Sequence, residues 1–554
     1  MKLNNVATYA ALYCSWADAL STSLNGQRSS IAQVAGAVQD FRIAKRDTDP
    51  SLLYPAYNFT TPIDHFHNET MYEPHTNGSY HMRYWFDATY YKPGGPVIVL
   101  QAGETDASTR LSFLQKGLLH QLAVATNGIG VVMEHRYYGT SFPTPDLSTE
   151  NLRFLTTQQA LADAAYFAQN IQFPGLESMG DLTSATTAYI GYGGSYAGAF
   201  NAFLRVQYPD VYWGTISSSG VTEAIYDYWA YYEPTATYAP QDCVKAQRTL
   251  INIADNIIFK NDSDLTNTLQ TAFGMPNITH VTDFANQLSQ GIGGWQSLNW
   301  DPAISSPEVY QYCSNISDTD VLYPDTEDLS STAFYLIEQG GYNASAELVN
   351  QMLNFIGFVN LTQVSSCNDP NQDSCFGNYN VTYYEQDTLD DNWRSWPYQY
   401  CTQWGFLQTG SGVPQNQLPL ISRTLDLPYE SLICKYAFNI TAPPDTEAVN
   451  KYGGYNISYP RLAIIDGEWD PWRPATPHAF GYGARDRVST ASEPFILIAD
   501  AVHHWDENGL FLNQTTPDFP PQPVADTQKS ELQFVQEWME EWRLKCLIQG
   551  GCCS

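Results

Sequence analysis

The chain has 554 residues and carries 58 acidic against 26 basic side chains, a formal charge of −32. Such a surface repels polyanions, which argues against nucleic acid or an anionic membrane as partner. With 43% apolar and 14% aromatic residues the chain buries a substantial core, so it is no disordered polymer, and its length calls for one large domain plus an insertion.

In chain order, the N-terminus reads first as a signal peptide over residues 1–19. Lys2 precedes an apolar stretch over 6–16, and Ala17-Asp18-Ala19 offers small residues for cleavage. A polar stretch, 20–46, ends in Lys45-Arg46 and is read as a candidate propeptide. No other run of 18 or more apolar residues follows, so no membrane span is expected. Residues 96–100 predict a strand leading into Gln101-Ala102-Gly103-Glu104, and 129–133 predict another. A helix is expected over 152–171. The strand-like run 187–190 then enters a glycine cluster presenting Ser195, and a helix over 196–208 leaves it. A strand over 212–217 follows. Residues 222–390 are rich in Asn, Asp, Ser and Tyr, with helical pieces at 244–258 and 346–357, and are expected to form a mostly helical cap. Apolar runs at 462–465 and 494–498 read as buried strands. Pro517, Pro520, Pro521 and Pro523 mark a linker. The last element is an amphipathic helix over 526–547, with Leu532, Val535, Met539, Trp542 and Cys546 on one face. The expected division is therefore 47–221 and 391–554 as the two parts of one α/β domain, with the cap inserted between them.

The chemistry lies at three strand ends. Gly193-Gly194-Ser195-Tyr196-Ala197 approximates a nucleophile elbow, in which a sharp strand-to-helix turn exposes a serine; Ala197 stands where a second glycine is usual. The strand at 462–465 runs into Asp466-Gly467-Glu468-Trp469-Asp470-Pro471-Trp472, and the strand at 494–498 into Asp500-Ala501-Val502-His503-His504. Serine, acid and histidine in that order are the order of α/β-hydrolases. A serine hydroxyl becomes a nucleophile when an imidazole takes its proton, and a carboxylate must hold that imidazole in one tautomer.

With these segments in place the sequence resembles the S28 serine peptidases, the group containing lysosomal prolyl carboxypeptidase, dipeptidyl peptidase 2 and fungal acid prolyl endopeptidases. The resemblance rests on Phe59-Thr60-Thr61-Pro62-Ile63-Asp64-His65-Phe66, Met82-Arg83-Tyr84-Trp85 and the block from Glu134-His135-Arg136-Tyr137-Tyr138-Gly139 to Asp163. It continues through the Ser195 loop, Tyr398-Gln399-Tyr400-Cys401-Thr402, Asp470-Pro471-Trp472 and His503-His504. The resemblance implies Ser195 as nucleophile, Asp470 rather than Asp466 as acid, and His503 as base, with His504 supporting the site from behind and Asp466 a turn residue. The oxyanion hole is expected to use the N–H of Tyr196 and one from the Gly103-Glu104 turn. Glu134-His135-Arg136 reads as a buried polar brace. The implied activity is hydrolysis on the carboxyl side of proline, in acid, with Trp472 as a wall of the proline pocket and Trp469 and Trp505 as core. Asn508 and Gln403 stand where an arginine and an acid are expected, which leaves carboxypeptidase, aminodipeptidase and endopeptidase modes open. A secreted esterase or lipase would use the same triad, and a silent binding protein would have lost part of it.

The compartment is legible too. Twelve Asn-x-Ser/Thr sequons, at Asn58, Asn68, Asn77, Asn261, Asn277, Asn315, Asn343, Asn360, Asn380, Asn439, Asn456 and Asn513, suit a glycosylated secreted or vacuolar/lysosomal protein. Of ten cysteines, Cys14 would leave with the signal peptide, and the odd one is sought at Cys552-Cys553. Cys367 and Cys375 are placed for a local disulfide. No cofactor or metal is expected: there is no Cys-x-x-Cys, and neighbouring His503 and His504 cannot share one ion from a strand end. The expected partners are proline-containing peptides or proteins, with the chain a monomer or homodimer.

Overall fold

The structure is a computed structural model that describes residues 49–548. The expected signal peptide (1–19) and propeptide (20–46), and Cys14, Cys552 and Cys553, lie outside the described residues.

Six strands form first: β1 (Tyr57–Pro62), β2 (Ser79–Asp87), β3 (Val97–Gln101), β4 (Ile129–Met133), β5 (Tyr189–Gly194) and β6 (Gly214–Ser218). A separate pair, β7 (Ile225–Asp227) and β8 (Gly405–Leu407), is followed by β9 (Leu462–Gly467) and β10 (Phe495–Ile498). The main sheet runs β1-β2-β4-β3-β5-β6-β9-β10. The β1/β2 and β2/β4 pairs are antiparallel and the rest parallel. Every residue of β3, β4, β6 and β9 is buried, as parallel strands covered on both faces must be. That cover explains why these strands appear in sequence as continuous apolar runs. The sheet order, with the helix Tyr196–Gln207 leaving β5, is the α/β-hydrolase fold.

Register places the site. Gly194 pairs with Ser218, Ser218 with Ile465, and Ile498 with Gly467. The carboxyl ends of β5, β6, β9 and β10 therefore open on one edge, where open α/β sheets place their ligands.

Two expected boundaries differ. The helix expected over 152–171 is a 3₁₀ turn, Asn151–Phe154, followed by the helix Thr157–Asn170. The Thr156 hydroxyl accepts from Gln159 N at 3.2 Å and restarts the helix there. The chain also stays out of the main sheet from Ser218 until Leu462, so its helical excursion continues well past residue 390. The extra stretch has the composition of a core because it packs on the nucleophile helix: Trp396 and Trp404 sit edge-on to Tyr196 at 5.7 and 5.1 Å. Cys243–Cys313 ties the helices Gln241–Ile258 and Glu308–Ser317 together, and Cys401–Cys434 closes a second loop. Cys367–Cys375 forms as expected, and Cys546 is also disulfide-bonded.

The last helix spans Gln522–Ile548, longer than expected at its start. It buries Val535, Met539 and Cys546 of the expected face together with Trp538, whose carbonyl accepts from Trp213 Nε1 at 2.7 Å.

Candidate active site

Ser195 sits between β5 and the helix Tyr196–Gln207 with φ 60° and ψ −125°. A side chain rarely adopts this backbone, and it persists only where the surroundings enforce it. They do: Ser195 N donates to Ser218 O at 2.9 Å on the neighbouring strand, and Ala199 N donates to Ser195 O at 3.0 Å. The turn needs a glycine at 193, where a Cβ would lie 2.8 Å from that of Ala197. Ala197 itself is buried and accommodated, its methyl 3.4 Å from where a Cβ on Gly103 (φ +75°) would stand. The Gly103-Glu104 turn thus borders the elbow.

The other two groups meet at the ends of β9 and β10. His503 Nδ1 lies 2.8 Å from Asp470 Oδ2, and both side chains are buried. The carboxylate accepts, so Nδ1 carries the proton and Nε2 is the basic nitrogen. Nε2 is buried without a hydrogen-bond partner. The other Asp470 oxygen accepts from Trp472 N at 2.9 Å, fixing the carboxylate's orientation. Asp466 is not a turn residue: it lies inside β9, buried, with Oδ2 at 2.6 Å from His478 Nδ1. The aspartate facing His503 is Asp470.

His504 lies beside His503, ring centroids 4.4 Å apart, and against the elbow, where a Cβ on Gly194 would lie 3.1 Å from its Cγ. It is held by Ser219 Oγ, which accepts from His504 N at 2.9 Å, and by Glu507 Oε2, 3.0 Å from Nδ1. Burial pushes the Glu507 carboxyl up, but the His504 and Arg110 charges outweigh it and hold it below its ordinary range. Burial pushes Glu104 up against the opposing charges of Arg110 and His504, and its own backbone N–H bonds its carboxyl. Asn508 is buried and donates from Nδ2 to Asp301 Oδ2 at 3.1 Å, while Gln403 Oε1 accepts from Thr157 N at 3.0 Å. Both neutral side chains have structural partners.

The segment Glu134-His135-Arg136 is buried and polar throughout. Arg136 grips Asp163 through Nε at 2.6 Å and Nη2 at 2.8 Å, and Glu134 receives Arg83 Nη2 at 2.6 Å. His135 does more than brace. Its Nδ1 donates to Arg136 O at 2.7 Å, so Nε2 accepts from the Tyr196 hydroxyl at 2.9 Å. Burial, with the Arg136 charge, pushes this imidazole down to about 4. A neutral histidine thus anchors the residue after Ser195.

Trp472 is buried inside an aromatic cluster that sequence order does not reveal. Tyr228 stacks on it at 5.4 Å, Tyr231 and Phe406 meet it edge-on at 5.2 and 5.1 Å, and His503 lies 6.5 Å away. Gln296 Oε1 accepts from Trp472 Nε1 at 2.7 Å and from Tyr231 OH at 2.9 Å. Trp469 and Trp505 pack elsewhere, on Tyr238 and on the segment around Leu298.

Comparison with known proteins identifies the family. The family model for serine carboxypeptidase S28 matches residues 61–516. A protein of Arthroderma benhamiae named "Probable extracellular serine carboxypeptidase" is 54% identical over 90% of this chain and 70% of its own length. The serine protease vicPb of Bipolaris victoriae is 28% identical over 82% of this chain and 85% of its own, and the mouse thymus-specific serine protease 24% over 83% and 84%. A serine-ended β5, an aspartate–histidine pair at the next strand ends and a match over most of the chain lead to one assignment: this protein is a serine-type peptidase and belongs to the serine carboxypeptidase S28 family.

Proposed function

We propose that the protein is a secreted serine carboxypeptidase that cleaves on the carboxyl side of proline in acid, through Ser195, His503 and Asp470. The observation carrying this reading is the buried His503–Asp470 pair at 2.8 Å, which leaves Nε2 without a partner, on the sheet edge where the strained Ser195 turn also opens.

The chemistry follows. Ser195 Oγ attacks the proline carbonyl carbon as His503 Nε2 takes the hydroxyl proton, and Asp470 stabilises the imidazolium. The oxyanion is received by the N–H of Tyr196, the first helical residue, whose amide has no intrahelical acceptor, and by the Gly103-Glu104 turn. One such donor is worth about 10²–10³ in rate. His503 then returns the proton to the leaving amine, and a water repeats the sequence on the acyl-enzyme. Proline has a fixed ring and no N–H, so its pocket should be apolar and ring-shaped. The aromatic cluster of Trp472, Tyr228, Tyr231 and Phe406 next to His503 supports a pocket wall of that kind.

Secretion and the carboxypeptidase mode are supported by the Arthroderma relative's name. None of the twelve sequon asparagines is buried, and no described helix is long and apolar enough to cross a membrane.

Mass spectrometry of products from free, N-blocked and C-amidated proline peptides tests the reading. Release of the residue after proline from free and N-blocked peptides, and little from amidated ones, is expected. Loss of activity on N-blocking would mean an aminodipeptidase, and internal cuts an endopeptidase. Cleavage without enrichment for proline would end the specificity claim, and turnover of acyl esters alone would make the enzyme an esterase.

A further inference from the structure

The geometry points to a binding site for a divalent cation of the zinc class, formed by Asp64, His67 and His75 on the connection between β1 and β2. Each residue presents one ligand atom, and these atoms lie within 4.8 Å of one another. Zinc takes imidazole nitrogen and carboxylate oxygen at about 2.0–2.2 Å, which in a tetrahedron puts ligand atoms about 3.3 Å apart. Asp64 Oδ2 and His75 Nδ1 are already 2.8 Å apart. His67 is exposed and stands beside His75, ring centroids 5.6 Å apart, so its side chain has room to close the set.

The carboxylate is prepared for the role. Asp64 is buried, and its other oxygen accepts from Phe66 N at 2.9 Å and Gln159 Nε2 at 2.8 Å. An outer sphere that fixes the ligand oxygen is the usual companion of a metal-binding carboxylate. Two imidazoles and one carboxylate suit zinc and its neighbours, whereas calcium and magnesium need more oxygen ligands. Three protein ligands leave the fourth position to water.

The ligands come from both ends of one loop. Asp64 follows β1 directly, and His75 shortly precedes β2. Gln159, on the helix Thr157–Asn170, also accepts from His65 N at 2.9 Å. A bound ion would therefore pin the loop's two ends to each other and to that helix. The set is invisible to cysteine spacing and to the His503–His504 pair, the two signals weighed in the sequence.

Titration of the metal-stripped protein with Zn²⁺ at about pH 7.5 tests the site. One equivalent should bind, and Co²⁺ in its place should show tetrahedral d–d absorption. Gln159→Ala should weaken binding by about 10–100-fold, the effect of an outer-sphere change, and His67→Ala and His75→Ala by more than about 100-fold. Hydrolysis of a small ester should be unchanged in His67→Ala, which verifies the fold. Equal Zn²⁺ affinity in wild type and both histidine variants, or no stoichiometric binding to wild type, would overturn the proposal and leave a plain Asp64–His75 hydrogen bond.

Discussion

Replacing Asp283 by asparagine should stabilise the protein at neutral pH and leave it unchanged in acid. Asp283 is buried in the helix Val281–Ser289. One oxygen accepts from Tyr429 OH at 2.8 Å and from Asn378 N and Nδ2, each at 3.1 Å, while the other has no partner. Burial pushes the carboxyl from 3.8 up to about 6. The folded chain therefore holds this proton over a range where the unfolded chain has released it. The group costs nothing below about pH 4, and stability falls as pH rises from about 4 through 6. Two pKa units at 1.36 kcal/mol each make the cost about 3 kcal/mol by pH 7. Asparagine keeps the accepting oxygen and puts an uncharged NH₂ where the unpartnered oxygen was, so the other contacts survive. Asp255 is raised to about 6 by burial as well, Asp506 to about 6 by burial and the Glu507 charge, and Glu531 well up by burial and by Asp506. Asp163, which burial would raise but the Arg136 charge holds far below its ordinary value, acts oppositely and loses its contribution only in stronger acid. Thermal midpoints of wild type and Asp283→Asn across about pH 4–8 check this: the curves should coincide near the acid end and separate by about 3 kcal/mol of stability at the neutral end. Parallel curves, or a variant less stable at pH 7 than wild type, would refute the reasoning.

His503→Ala should abolish turnover, whereas His504→Ala should only impair it; steady-state kinetics on one proline peptide decides, and the reverse order would move the base to His504. Trp472→Ala should lower kcat/KM for a proline peptide far more than for a small unspecific ester, and equal losses would make the tryptophan structural. Tyr196→Phe strips His135 Nε2 of its buried donor and should cost about 1–3 kcal/mol of stability, read from the denaturant midpoint; an unchanged midpoint would detach His135 from the elbow. The kcat/KM profile should peak at about pH 4–6, and a profile rising steadily to pH 8 with little activity at pH 5 would contradict acid function.

What the sequence showed, it showed where chemistry follows an apolar strand. Ser195, Asp470 and His503 each stand just past an apolar strand, and the register of β5, β6, β9 and β10 brings those strand ends to one edge. Asp466 misled because it follows the same apolar run; only the fold reveals that β9 extends to Gly467 and that His478 faces it. The aromatic cluster around Trp472 was legible in one member, since Tyr228, Tyr231 and Phe406 arrive from distant segments by packing. The chain leaves the main sheet at Ser218 and returns at Leu462, and composition hides that return, because residues after 390 are apolar for contacts with the nucleophile helix rather than for the sheet. Asp64, His67 and His75 are close in sequence yet without metal-ligand spacing, and the turn between β1 and β2 is what gathers them.

The central claim is a covalent one, and active-site labelling tests it most directly. A fluorophosphonate probe should add one equivalent to the folded enzyme, on the peptide containing Ser195, with activity lost in proportion. Ser195→Ala should remain folded, take up no label and turn over about 10⁴-fold more slowly. Label on another residue, or a Ser195→Ala enzyme retaining more than about a tenth of wild-type turnover, would contradict the account.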